Sequence, residues 1–147
     1  MGSRRAKTIG IDLGEKRVGL AISDEMGLYA HPLGVLDFRG EEELAEELAG
    51  IAEERGVASF VVGLPRNMNG TIGESAKKSQ RFANQLQRKS GLPVTMLDER
   101  LTTSQAEKEM IGLGKSRRWR RKTIDSVAAV LILETYLRQT GEHTNQC

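Results

Sequence analysis

Residues 8–24, TIGIDLGEKRVGLAISD, carry two apolar runs separated only by Gly14-Glu15-Lys16. A connection that short can join antiparallel neighbours, because parallel strands need a crossover of a dozen or more residues. The pattern therefore predicts a hairpin of strands over 7–13 and 17–23. Whatever else the chain forms must be built onto that sheet. An acid stands near the end of each run, Asp12 in the first and Asp24 in the second. An uncompensated charge at the end of a core strand costs several kcal/mol or shifts its pKa. Either Asp12 shapes the turn or something cationic meets it.

The rest of the chain alternates. Residues 28–38 read as a weaker third strand, interrupted by Pro32 and Gly34, with Pro32 predicting an edge or a bulge. Leu44, Leu48 and Ile51 recur at helical spacing, so 41–55 is expected to be a helix that Gly56 stops. Residues 59–62 form a short apolar strand before a glycine-rich loop. Thr71 and Glu74 suggest a capping box for a helix over 73–90, ended by Gly91. The next strand is 93–97, with Asp98-Glu99-Arg100 at its carboxyl end. A helix from Thr102 or Thr103 to about Ile111 and a largely buried one over about 122–139 complete the pattern. Three antiparallel strands followed by alternating helices and strands make a mixed α/β sheet with helices on both faces. With 147 residues and no linker or repeat, one domain over 1–147 is expected. Its functional edge should lie at the strands' carboxyl ends.

Composition narrows the chemistry. The only cysteine is Cys147, and neither of the two histidines, His31 and His143, is paired with other ligands in a metal-binding pattern. A zinc enzyme or a histidine-dependent triad does not fit. Any metal must be a hard cation held by oxygen. The longest apolar run, Val127 to Leu133, is too short to span a bilayer, and no apolar signal core follows the first residues, MGSRRAKT. A cytoplasmic protein with no membrane partner is expected. The net charge of +2 conceals a strong separation. Residues 41–54 hold seven glutamates, and KSRRWRRK, residues 115–122, holds six cations in eight positions.

Four acids are placed where bulk solubility does not need them. Asp12 ends the first strand, Asp98 and Glu99 end the last, and Asp125 lies at the start of an apolar helix. Each has a plain structural role open to it: a hairpin cap for Asp12, pairing with Arg100 for Asp98 or Glu99, and a favourable helix dipole for Asp125. Together they can converge on one sheet end if the first and last strands are close. Three carboxylates there would repel unless cations were present, and a pair of Mg2+ or Mn2+ ions would resolve that and activate water against a phosphodiester. Strand alternation sends neighbours to opposite faces, which favours Glu99 over Asp98 as the ligand beside Asp12. The basic run can contact phosphates through Arg117, Arg118, Arg120, Arg121 and Lys122, with Trp119 stacking on a base. Lys16 and Arg17 charge the hairpin turn. In the loop after the fourth strand, Arg66 or Asn67 can assist backbone N–H groups at a phosphate. GLGKS, residues 112–116, is not a phosphate loop, since Glu109 stands where the pattern needs glycine and a helix precedes it.

Four blocks, GIDLGEKRVGLAISD, VGLPRNMNGTIGES, LDERLTTSQAE and RRKTIDSVAAVLIL, resemble signature blocks of the YqgF family, in that family's order, over about residues 7–138. These are Holliday junction resolvase-like proteins with a ribonuclease H-like fold, also described as pre-16S rRNA nucleases. The resemblance implies a five-stranded ribonuclease H-like sheet and a two-metal phosphodiester nuclease acting in 5′-end processing of precursor 16S ribosomal RNA. It implies metal ligands at Asp12, the acid in Asp98-Glu99, and Asp125. Asn69 and Glu74 depart from the aspartate and proline that family members often show, which bears on the substrate loop and not on the metal site. RNA is expected over DNA junctions, with the protein a monomer or weak homodimer. The alternatives are a Holliday junction resolvase, a non-catalytic RNA-binding module, or one half of an actin-like kinase, for which the chain is too short.

Overall fold

The computed structural model describes residues 7–65, 73–99 and 127–140. Strand β1 (Lys7–Leu13) and β2 (Arg17–Ser23) pair antiparallel, with Leu13 opposite Val18 and Ile9 opposite Ile22. The turn between them is closed by the Gly14 N–H donating to the Arg17 carbonyl at 3.0 Å. A Cβ at position 14 would lie 2.5 Å from that same oxygen, so the turn is too tight for any side chain there. Strand β3 (Ala30–Asp37) pairs antiparallel with β2 at the sheet edge. Pro32 has no N–H to donate and suits that edge. The register also slips there, from Leu20 opposite Gly34 to Ala21 opposite Pro32, which leaves Leu33 as a bulged residue.

Helix α1 (Glu41–Arg55) leads to β4 (Val57–Leu64), and α2 (Glu74–Ser90) leads to β5 (Val94–Asp98). The sheet order is β3-β2-β1-β4-β5, with β4 parallel to β1 and β5 parallel to β4. This is the expected mixed sheet of three antiparallel strands followed by two parallel ones. Residues 127–140 form a further helix. Gly56 and Gly91 end α1 and α2 in left-handed conformations, φ 70° and 72°, which a residue with a Cβ adopts only at a cost.

Four elements differ in their bounds from the sequence reading: β5 is Val94–Asp98 and not 93–97, and the other three shift for reasons visible in their contacts. Strand β4 is longer than 59–62 because Gly63 and Leu64 go on pairing with Leu97 and Asp98. Strand β3 begins at Ala30 rather than at residue 28. There the Asp24 carboxylate accepts from the Leu28 N–H at 2.8 Å and from the Tyr29 N–H at 3.4 Å, holding both in the turn. Helix α2 has Gly73 as its N-cap without a side-chain bond, so Glu74 is its first helical residue, favoured by the dipole, and not the partner in a capping box. Thr71 and the helix expected from Thr102 or Thr103 to Ile111 lie outside the described residues.

The sheet is buried on both faces. On one, Ile9, Ile11, Phe60 and Val62 pack under Leu44 and Leu48 of α1 and Phe82 and Leu86 of α2. On the other, Ala21, Val61 and Leu97 meet Ala129, Ile132 and Leu133 of the 127–140 helix. That helix comes down onto backbone at Gly10, where a Cβ would be 2.8 Å from the Leu133 Cβ and 3.0 Å from the Ala129 carbonyl oxygen. The glutamates of α1 therefore belong to the first layer. Lys89 of α2 pairs with Glu46 at 3.1 Å and with Glu42 at 3.6 Å, and Arg81 lies 3.7 Å from Glu41. Such exposed pairs are screened by water and add little; the apolar layer beneath them decides how the helices dock. Among the described residues no helix is long and apolar enough to cross a membrane.

Candidate active site at the carboxyl edge of the sheet

Strands β1, β4 and β5 run parallel and end on one edge, at Leu13, Leu64 and Asp98. Strand β4 lies between the other two, so the first and last strands bring their acids to either side of it. Alternation along β1 sends Ile9 and Ile11 into the α1/α2 layer and Gly10 towards the 127–140 helix. Asp12, two residues after Gly10, shares the latter face. Along β5, Val94 and Met96 pack into the α1/α2 layer, and Asp98 is next in that series. Leu97 packs with the 127–140 helix, and Glu99 follows it on the same side.

Gly63 shows where the Glu99 side chain lies. A Cβ built on Gly63 would be 2.5 Å from the Glu99 Oε1, 3.0 Å from its Cγ and 2.6 Å from the Ile132 Cδ1. The carboxylate is seated over the bare Gly63 backbone, under the 127–140 helix. Gly63 pairs with Leu97 on one side and follows Val62, which is opposite Ile11, on the other. Asp12 and Glu99 thus share a face and flank the same glycine. Asp12, Asp98 and Glu99 are all half-buried. The described residues contain no group of three or more acids, histidines or cysteines poised for a metal. Asp125, the third expected ligand, lies outside them.

The turn after Asp12 is held from two directions. The Phe38 N–H donates to the Lys16 carbonyl at 2.9 Å. The Lys78 Nζ donates to the Gly14 carbonyl at 3.3 Å and stands 3.9 Å from the centre of the Phe38 ring. Lys16 and Arg17 are exposed on this turn. Neither Lys78 nor Gly63 was visible as a site residue in the sequence. Lys78 is one cation among several in α2, and Gly63 reads as an ordinary end to a strand. Arg66, Asn67, Arg117, Arg118, Trp119, Arg120, Arg121 and Lys122 lie outside the described residues.

The other acid of the hairpin does different work. Asp24 is at the opposite end of the sheet, and its carboxyl is held below the ordinary carboxylate range. The Leu28 N–H is the chief cause, with the Tyr29 and Gly27 N–H groups adding to it against the opposing effect of desolvation. Two acids from one hairpin have separated, one into turn structure and one onto the edge where the parallel strands end.

Residues 6–139 match the model of a family described as "RuvX: Holliday junction resolvase". The chain belongs to this family. It is the family that the four sequence blocks resemble, also called YqgF. Relatives within it include a Geobacillus kaustophilus protein named "Putative pre-16S rRNA nuclease", 47% identical over 134 residues, covering 89% of this chain and 96% of that protein. A protein of the same name from Symbiobacterium thermophilum is 48% identical over 128 residues, covering 87% of this chain and 89% of that one. Among solved structures, Thermus thermophilus RuvC in complex with a Holliday junction substrate superposes with a TM-score of 0.58 at 13% identity, over 92% of this chain and 97% of that one. At that identity the likeness is one of fold. It places this RuvX-family sheet in the ribonuclease H-like class.

Proposed function

We propose that this RuvX-family chain is a metal-dependent nuclease that hydrolyses phosphodiester bonds in precursor 16S ribosomal RNA, at its 5′ end, in the cytoplasm. The observation that carries the reading is the placing of Asp12 and Glu99 on one face around Gly63, at the edge where β1, β4 and β5 end. Two carboxylates, one on β1 and one just after β5, supply oxygen ligands only, which suits a hard divalent cation. Asp12 and Glu99, with Asp125 as third ligand, would hold Mg2+ or Mn2+. When bound, such ions polarise a phosphodiester and lower the pKa of water. The chain's own part is to orient. The Gly63 seat fixes the Glu99 carboxylate, the closed turn fixes Asp12, and Lys16 and Arg17 stand where incoming phosphates would pass. Asp98, on the other face, acts in structure. Arg66 and Asn67, with the basic run, guide the polyanion towards acids that would otherwise repel it.

RNA is preferred to a four-way junction because symmetric cutting needs a dimer with two facing sites. The described surface of α1 exposes a row of glutamates that would repel a second copy. The deciding assay offers matched single-stranded RNA, duplex DNA and four-way junctions with and without Mn2+. Faster cleavage of RNA is expected. A stable dimer that nicks opposite junction arms faster than it cuts RNA would overturn the substrate choice and leave the metal site standing. RNA binding without cleavage in any metal would favour the non-catalytic module.

The basic run is expected to set affinity and not chemistry. Replacing Arg117, Arg118, Arg120 and Arg121 by serine should weaken polyanion binding and spare turnover at saturating substrate. Each lost phosphate contact should lower the log–log salt slope by roughly 0.7 to 0.9. Binding measured across a salt series checks this, and an unchanged slope would make the run a bystander.

A further inference from the structure

We infer that Lys78 is a positioning residue for the site, acting through the turn that follows Asp12. This rests on the nuclease reading above. Lys78 is half-buried on α2, and its ammonium meets two partners at once: the Gly14 carbonyl at 3.3 Å and the face of Phe38 at 3.9 Å from the ring centre. A carbonyl takes only one of the three N–H bonds, and the π-face supplies a second electrostatic contact for the same charge. Phe38 is itself tied to the turn by its N–H to the Lys16 carbonyl at 2.9 Å. Lys78 therefore joins three parts of the chain: the helix α2, the end of β3 and the β1–β2 turn.

The turn needs such a tether. Gly14 closes against the Arg17 carbonyl and has no side chain with which to pack. Its carbonyl lies two residues beyond Asp12, so tilting of that peptide is passed directly to the end of β1. Ligand carboxylates must be held within about 0.5 Å of a productive geometry, which demands support from residues around them. Lys78 gives that support by charge and direction. An apolar side chain of equal length would pack against Phe38 but would not hold the carbonyl.

The test uses the full chain and Mn2+ alone, followed by isothermal titration, with thermal melts alongside. Lys78→Met should weaken Mn2+ binding by about tenfold, the low end of what outer partners of metal ligands contribute. Its melting temperature should stay within a few degrees of the wild type. Lys78→Arg should restore most of the affinity. Should Lys78→Met lose its melting transition, Phe38→Leu, which removes the π-face together with part of the ring's packing, should still weaken Mn2+ binding. Unchanged Mn2+ affinity in these folded variants would overturn the inference, as would a loss that arginine fails to recover. A lower salt slope for polyanion binding with unchanged Mn2+ affinity would make Lys78 a phosphate contact instead. Asp12→Asn separates the two levels. If that variant binds Mn2+ like the wild type, the site reading itself fails. If it loses Mn2+ while Lys78→Met does not, only the role of Lys78 fails.

Discussion

Asp12→Asn should abolish metal-dependent cleavage and leave the fold intact or slightly more stable. The change removes one carboxylate from a face that also carries Glu99, so repulsion falls while shape is kept. Ligated divalent ions contribute several kcal/mol of transition-state stabilisation, so the loss in rate should be roughly a thousandfold or more. A thermal melt and a single-turnover assay in Mg2+ check the two halves separately. Wild-type turnover in this variant would remove Asp12 from the chemistry, whatever the family resemblance implies.

The second large effect concerns the neighbouring acids. Glu99→Gln should damage cleavage as severely as Asp12→Asn, and Asp98→Asn should cost less than about tenfold. The reason is the pleat. Asp98 continues the series Val94, Met96 towards α1 and α2, whereas the Glu99 carboxylate lies over Gly63 on the side of Asp12. Gly63→Ala is the companion variant. Its new Cβ would meet the far ends of two side chains, the Glu99 Oε1 at 2.5 Å and the Ile132 Cδ1 at 2.6 Å. The Glu99 Cγ, 3.0 Å away, and the buried Ile132 must give way as well, so the melting temperature should also fall, by what an overpacking cost of about 1–3 kcal/mol implies. The carboxylate cannot move aside and also keep its place, and displacement of a reacting group by about 1 Å can cost roughly a hundredfold. A variant that loses stability but not activity would show that the seat serves packing alone. Greater damage from Asp98→Asn than from Glu99→Gln would put the site on the other face.

Much of this was legible in the chain. The spacing of Ile9 and Ile11 from Val18 to Ile22 specified a hairpin, since only an antiparallel pair closes over three residues. Pro32 marked the edge strand because a residue without an N–H cannot serve a central one. Gly56 and Gly91 marked helix ends because they adopt left-handed backbone freely. That Asp98 and Glu99 lie on opposite faces followed from the two-residue period of a strand, a local rule that holds wherever the strand is placed.

What the chain could not express by itself was adjacency. Nothing local to β1 or β5 states that β4 lies between them, yet that order brings Asp12 and Glu99 to one glycine. Asp12 and Asp24 look alike in sequence, each an acid at the end of an apolar run. The turn geometry made Asp24 an acceptor for two backbone N–H groups, and the parallel pairing of β1 with β4 put Asp12 at the shared edge. Lys78 became a partner of Gly14 only when α2 docked beside the hairpin, 64 residues away in sequence. Periodicity and turn chemistry are properties of neighbouring residues and can be read in order. A seat, a tether or a shared face is made by segments far apart in the chain, and only their packing into one sheet decides which side chains meet.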